Sequence, residues 1–115
     1  VQRRNRLSRS RDFDDVYRRG RSVSTRFLTL LCLSRDEPVG GPRLGLAVPR
    51  EVGNAVVRNR IKRQLRELFG ERLEQLPASN DYVLKVRKGL PEAVDANGYG
   101  WLAERLDEVL GKIAA

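Results

Sequence analysis

The chain has 115 residues and a mass of 13.1 kDa, enough for one domain with a real core and too little for two well-packed ones. Its 23 Lys and Arg against 15 Asp and Glu give a net charge of +8 and a pI near 10.5, which favours a polyanionic partner. Histidine is absent and Cys32 is the single cysteine, which excludes the usual general base, an intramolecular disulfide and a thiolate metal cluster.

The basic excess is uneven: residues 1–66 carry 17 basic and 6 acidic side chains, residues 67–115 carry 6 and 9, so the first part is the expected binding half. Arg outnumbers Lys 19 to 4, and a guanidinium can grip phosphate bidentately and stack on bases. Cys32, inside an apolar stretch, reads as a small buried hydrophobe. No apolar run reaches transmembrane length and no signal-peptide core is evident, so a soluble, cytoplasmic protein without a membrane partner is the default expectation. The missing initiator Met suggests a trimmed or replaced start.

Residues 1–9, VQRRNRLSR, are polar and basic with one apolar anchor at Leu7, and are expected to form a mobile arm that orders on a polyanion. A helix signal follows. Ser10 can cap it, Asp12, Asp14 and Asp15 occupy early turns where the macrodipole favours anions, and Gly20 after Arg18 and Arg19 marks its end. The dipole explains the three carboxylates better than a metal site does. Phe13, Val16 and Tyr17 share one face at i, i+3, i+4 spacing. Two aromatics so placed are ordinary core material, yet beside a bare strand they can also contact unpaired bases or sugars.

Residues 22–24 are extended and lead into FLTLLCLS at 27–34, apolar on both alternating faces, as a central strand is. RDEPVGGPR at 35–43, with two Pro and two Gly, is expected to turn the chain into a hairpin. In the next strand, 43–49, Leu44, Leu46 and Val48 point to one side and Gly45, Ala47 and Pro49 to the other, where the lack of bulk predicts a shallow groove.

Asn54 suits the N-cap of a helix running to about Phe69, with Gly70 soon after. Val57, Ile61, Leu65, Leu68 and Phe69 form one apolar stripe. Arg58 and Lys62 flank it, and Asn59, Arg60, Arg63 and Arg66 occupy the remaining circumference. A charge run is usually just a solvated face. Here the like charges at 58, 62 and 66 lie one turn apart without acidic partners and repel by a few tenths of a kcal/mol per pair. Phosphate oxygens would offset that repulsion, with counterion release as the driving term, so nucleic-acid contact is the favoured reading.

After a linker at about 77–80, YVLKVR at 82–87 is a strand that RKGLP at 87–91 ends. A last helix from near Asn97 buries Leu102, Leu106, Val109, Leu110 and Ile113, with Trp101 read as a packing residue rather than a base-stacking one. Internal repeats, GxxxxGK[ST] and GxGxxG are all absent, and nothing in the sequence supports catalysis by the protein alone.

The run GNAVVRNRIKRQLRE, residues 53–67, closely resembles the signature of the bacterial ribonuclease P protein subunit: Arg-Asn-Arg, then Lys-Arg, then a further Arg one turn on. RLSRSRDFDDVYRRGRSVSTRF ahead of it, RLGLAVPREVGNAV leading into it and DYVLKVRKG after it also look like that family, so the likeness spans about residues 3–89. The resemblance implies one α+β domain over residues 1–115, an α/β sandwich of order αβββαβα with a left-handed βαβ crossover, where pattern reasoning alone would choose the right-handed one.

The resemblance further implies a protein cofactor of a catalytic RNA that removes 5′ leaders from precursor tRNA. Its partners would be ribonuclease P RNA and precursor tRNA, with Mg²⁺ held by the RNA complex and no obligatory protein partner. By position, Arg58, Asn59, Arg60, Lys62, Arg63 and Arg66 would face the RNA subunit, while Phe13, Tyr17, Thr29 and Leu31 would line a cleft for the leader. Two positions depart from the family pattern: Leu31 stands where relatives can place an aromatic, and Glu51 replaces an often basic residue, weakening the local positive potential. The rival reading is a basic structural RNA-binding protein of ribosomal type, which would use the same helix without the cleft. A stand-alone nuclease would cleave RNA as pure protein in Mg²⁺.

Overall fold

Alternation along the strands sets the architecture. In the computed structural model, which describes residues 3–36 and 40–114, one four-stranded sheet has the order β1 (Arg21–Ser24), β2 (Leu28–Ser34), β4 (Asn80–Val86), β3 (Arg43–Ala47). Val1 and Gln2 of the expected arm and residues 37–39 of the expected turn fall outside the described residues. Leu28, Leu30 and Cys32 of β2, Leu44 of β3, and Tyr82, Leu84 and Val86 of β4 face a large core. Helices α2 (Ala55–Gly70), α3 (Leu90–Asn97) and α4 (Tyr99–Ala114) close that core, with the Phe69 and Tyr82 rings edge to face at 5.6 Å. The opposite sheet face carries a smaller core of Leu7, Val16, Leu31 and Val83 under α1 (Ser10–Arg19). The chain is thus a mixed α+β domain with helices on both sides of the sheet.

The expected hairpin between β2 and β3 does not form. β4 lies between them, antiparallel to β2 and parallel to β3, so β3–α2–β4 is a βαβ unit. β2 and β3 do run in opposite directions, but five consecutive buried residues, Asn80 to Leu84, suit β4 to the sheet interior better than β3. A helix is also added to the expected order: α3 buries Leu90, Pro91 and Val94. RKGLP ends the strand as expected, and Pro91 then sits in the first turn of α3, where the missing N–H costs nothing. Gly89, at φ 98°, supplies the left-handed entry to α3.

Residues 3–9 differ from a free arm. Arg6 bridges to Leu44 on the outer side of β3, Leu7 N–H donates to the Leu44 carbonyl at 2.9 Å, and Leu7 is buried. The buried Asn5 amide donates to the carbonyls of Gly40 at 3.2 Å and Pro42 at 2.9 Å. An apolar anchor and a satisfied amide make this segment part of the fold. Ser10 is the first residue of α1 and not its cap, because Arg9 holds that position without a side-chain hydrogen bond. No described helix is long and apolar enough to cross a membrane.

Candidate nucleic-acid interface

Strand register arranges the α1 side of the sheet in three rows. The first joins Leu33 to Asp81 and Arg43, the second Ser22, Leu31, Val83 and Gly45, and the third Ser24, Thr29, Lys85 and Ala47. Asp81 in the first row is buried; it accepts from Arg35 and takes two bonds from Arg43, at 2.8 and 2.7 Å, while Asp12 adds a contact to Arg43 at 3.6 Å. This latch fixes both ends of the β2–β3 connection against α1 and β4.

α1 covers the second row. The Phe13 ring lies on Gly45 so closely that a Cβ there would come within 2.5 Å of the ring, and Phe13 packs against the small core that includes Leu31. The bulk-free groove expected along Gly45 and Ala47 is therefore filled at Gly45. The third row stays open. Thr29 shares a 3.0 Å hydrogen bond with Ser24, and Lys85 stands 5.7 Å from the centre of the exposed Tyr17 ring, a cation–π distance. Arg26, Arg87 and Lys88 join Thr29 and Lys85 around a cavity of about 510 Å³, with Glu51 on its wall. Partial burial raises the Tyr17 phenol above its ordinary value, so it remains neutral at pH 7.

Of the four leader residues expected from the sequence, Thr29 lines this cleft and Tyr17 meets it through Lys85, whereas Phe13 and Leu31 form the packed floor beside it. Lys85 and Arg26 were not singled out by sequence reasoning. The detectable signal was in the pairing of strands distant in sequence, which sets Thr29 opposite Lys85.

α2 supplies the second basic surface. The Asn54 side chain caps it by accepting from Val57 N–H at 2.9 Å, and Ile61, Leu65, Leu68 and Phe69 anchor it. Asn59 and Arg63 are exposed; Arg58, Arg60, Lys62 and Arg66 are half-buried. Arg58 Nε donates to the Gly53 carbonyl at 3.1 Å, and Arg60 reaches Asp95 of α3 at 3.5 Å, a partner hidden from a helix-local reading. Burial, and then the Arg6 charge, push the Arg66 guanidinium below its ordinary value. Arg6 thus extends the basic surface from α2 to the docked N-terminal segment, and a phosphate between the two would relieve their repulsion.

On α1, Asp15 meets Arg18 at 3.4 Å and Arg19 at 3.8 Å, and among the described residues no group of three or more acids, His or Cys is arranged to hold a metal.

The fold recurs in known proteins. A ribonuclease P protein component from Acidothermus cellulolyticus is 42% identical over 110 residues, covering 96% of this chain and 88% of its own. Another, from Bacillus pumilus, is 39% identical over 93 residues, covering 80% and 76%. The solved ribonuclease P protein of Staphylococcus aureus superposes with a TM-score of 0.83 at 30% identity, covering 96% of this chain and 94% of that one. The Thermotoga maritima protein gives 0.83 at 30% identity, covering 94% and 96%. The ribonuclease P family model matches residues 1–114, and the chain belongs to that family.

Proposed function

We propose that this chain is the protein subunit of ribonuclease P and works in tRNA processing by binding two RNAs at once. The α2 cations hold the ribonuclease P RNA, and the open third row of the sheet holds the single-stranded 5′ leader of precursor tRNA. The observation that carries this reading is the convergence of an exposed Tyr17 ring, the Lys85 ammonium and the Thr29 hydroxyl on one uncovered sheet face. A ring offers a stacking platform, an ammonium a phosphate contact and a hydroxyl a hydrogen bond to sugar or base, which together suit an unpaired strand.

The chain's contribution is positional. By tying leader and catalytic RNA to one rigid body it raises substrate affinity, because the second contact becomes intramolecular. Hydrolysis of the phosphodiester belongs to the RNA, with Mg²⁺ held there; Asp12 and Asp81 of this chain are engaged with its own Arg35 and Arg43.

Adding the protein to a bacterial ribonuclease P RNA at low Mg²⁺ is expected to accelerate leader removal. Tyr17→Ala should weaken binding of precursor tRNA by about 1–3 kcal/mol, the value of one stacked base, and leave mature tRNA unaffected. Equal losses for both substrates would leave a basic RNA-binding protein without a leader cleft.

A further inference from the structure

We infer that the cleft continues past Arg26 into a second RNA subsite, an aromatic notch between the β1–β2 turn and α4 that takes one unstacked base of the leader. This rests on the reading that the cleft holds the leader. The notch is a cavity of about 380 Å³ walled by Phe27, Trp101 and Arg105, and Arg26 lines both it and the cleft. A strand leaving the cleft around Arg26 enters the notch directly.

The two compartments differ in chemistry. The cleft has four cations and no aromatic ring on its wall, whereas the notch holds two rings and two guanidiniums. Phe27 and Trp101 are half-buried and meet edge to face, centroids 5.5 Å apart at 73°, an arrangement that does not stack one ring face on the other. The Arg26 guanidinium carbon lies 5.2 Å from the Phe27 ring centre, and that of Arg105 lies 5.4 Å from the Trp101 ring centre. Ring faces and guanidinium planes are the two platforms on which unpaired bases stack.

Hydrogen bonding and charge point to the same occupant. Arg105 Nε is buried without a hydrogen-bond partner among the described residues, although its Nη2 approaches Glu104 at 3.7 Å. A base carbonyl or ring nitrogen would satisfy that N–H. Glu108 also lines the notch and offsets part of the charge of its two guanidiniums, so the cleft, with more cations on its wall, holds phosphate better and the notch is left to a base. The site is held in shape by its surroundings. Thr25 N–H donates to the Leu28 carbonyl at 2.8 Å, Arg87 N–H donates to Phe27 at 2.9 Å, and Arg87 Nη1 donates to Thr25 at 2.8 Å, so the turn bearing Arg26 is lashed to the end of β4.

Trp101 is the only tryptophan, so its emission reports on the notch. The protein, assembled with ribonuclease P RNA, is titrated with precursor tRNAs whose leaders lengthen one nucleotide at a time. At the length that first reaches the notch, affinity is expected to rise about tenfold, within the range for one stacked base, and Trp101 emission to quench at the same step. Arg105→Gln should remove the step in affinity, and Trp101→Leu should remove it as well if circular dichroism shows an intact fold. Smooth length dependence with unquenched emission, while Tyr17→Ala still weakens short-leader binding, would overturn the notch alone. Indifference of every leader length to Tyr17→Ala would overturn the cleft reading beneath it.

Discussion

Asp81 is a buried anion between two arginines, its side chain 5% exposed against 17% for Arg35 and 26% for Arg43. Truncating one member of a buried ion-pair network strands the others, so Asp81→Ala should cost about 3 kcal/mol, seen as a lower urea midpoint at unchanged slope. The same scale explains what the site's sequence concealed. Phe13 and Tyr17 share a helix face, yet one ring is pressed onto Gly45 and the other stays 42% exposed above Lys85. Helical spacing fixes the shared face; only the width of the sheet beneath decides which ring is covered. Leu31 and Thr29 likewise alternate correctly along β2 but fall in covered and open rows.

Among elements, α2 is laced along one flank to the helices that follow it. Arg60 meets Asp95, Tyr99 donates to Glu67 at 3.4 Å, and Arg72 binds Asp107 through Nε and, at 3.1 Å, through Nη2. Hydrogen bonds from Arg72 hold the Asp107 carboxyl below its ordinary value. A depressed carboxyl contributes stability above its unfolded pKa, about 3.9, and loses it as pH falls through the lower folded value. Melting curves of wild type and Asp107→Asn should therefore differ at pH 7 and converge in that acidic window, by a modest amount because Asp107 is 58% exposed. The strands, α1, α2 and α4 were legible from periodicity, and α2 from its cap as well, while the strand order and α3 were not. Neither the place of β4 between β2 and β3 nor the helical start at Leu90 can be read locally, since one depends on competition between strands and the other on burial of Leu90 and Val94.

Across the whole molecule, charge is polarised in space as it is along the chain. α2 and the docked N-terminal segment flank β3 at one side of the sheet, whereas α4 packs on β1 and β2 toward the other. A polyanion bound at the first side releases counterions only there. Arg63→Ala should accordingly reduce the salt slope of ribonuclease P RNA binding by about one unit, and Lys112→Gln on α4 should leave it unchanged. Identical slopes for Arg63→Ala and wild type would remove α2 from that contact. The resemblance had already pointed to this polarity through one basic helix; Arg6, contributed from sixty residues away by docking on the edge of the sheet, lay outside it.

That docking has a consequence for how the molecule behaves toward copies of itself. β3 is an outermost strand, and its free side carries backbone donors and acceptors that residues 6 and 7 partly occupy. A chain shortened ahead of Ser8 would lay that ladder bare as a template for strand addition, so trimming the first residues bears on aggregation as much as on affinity for nucleic acid.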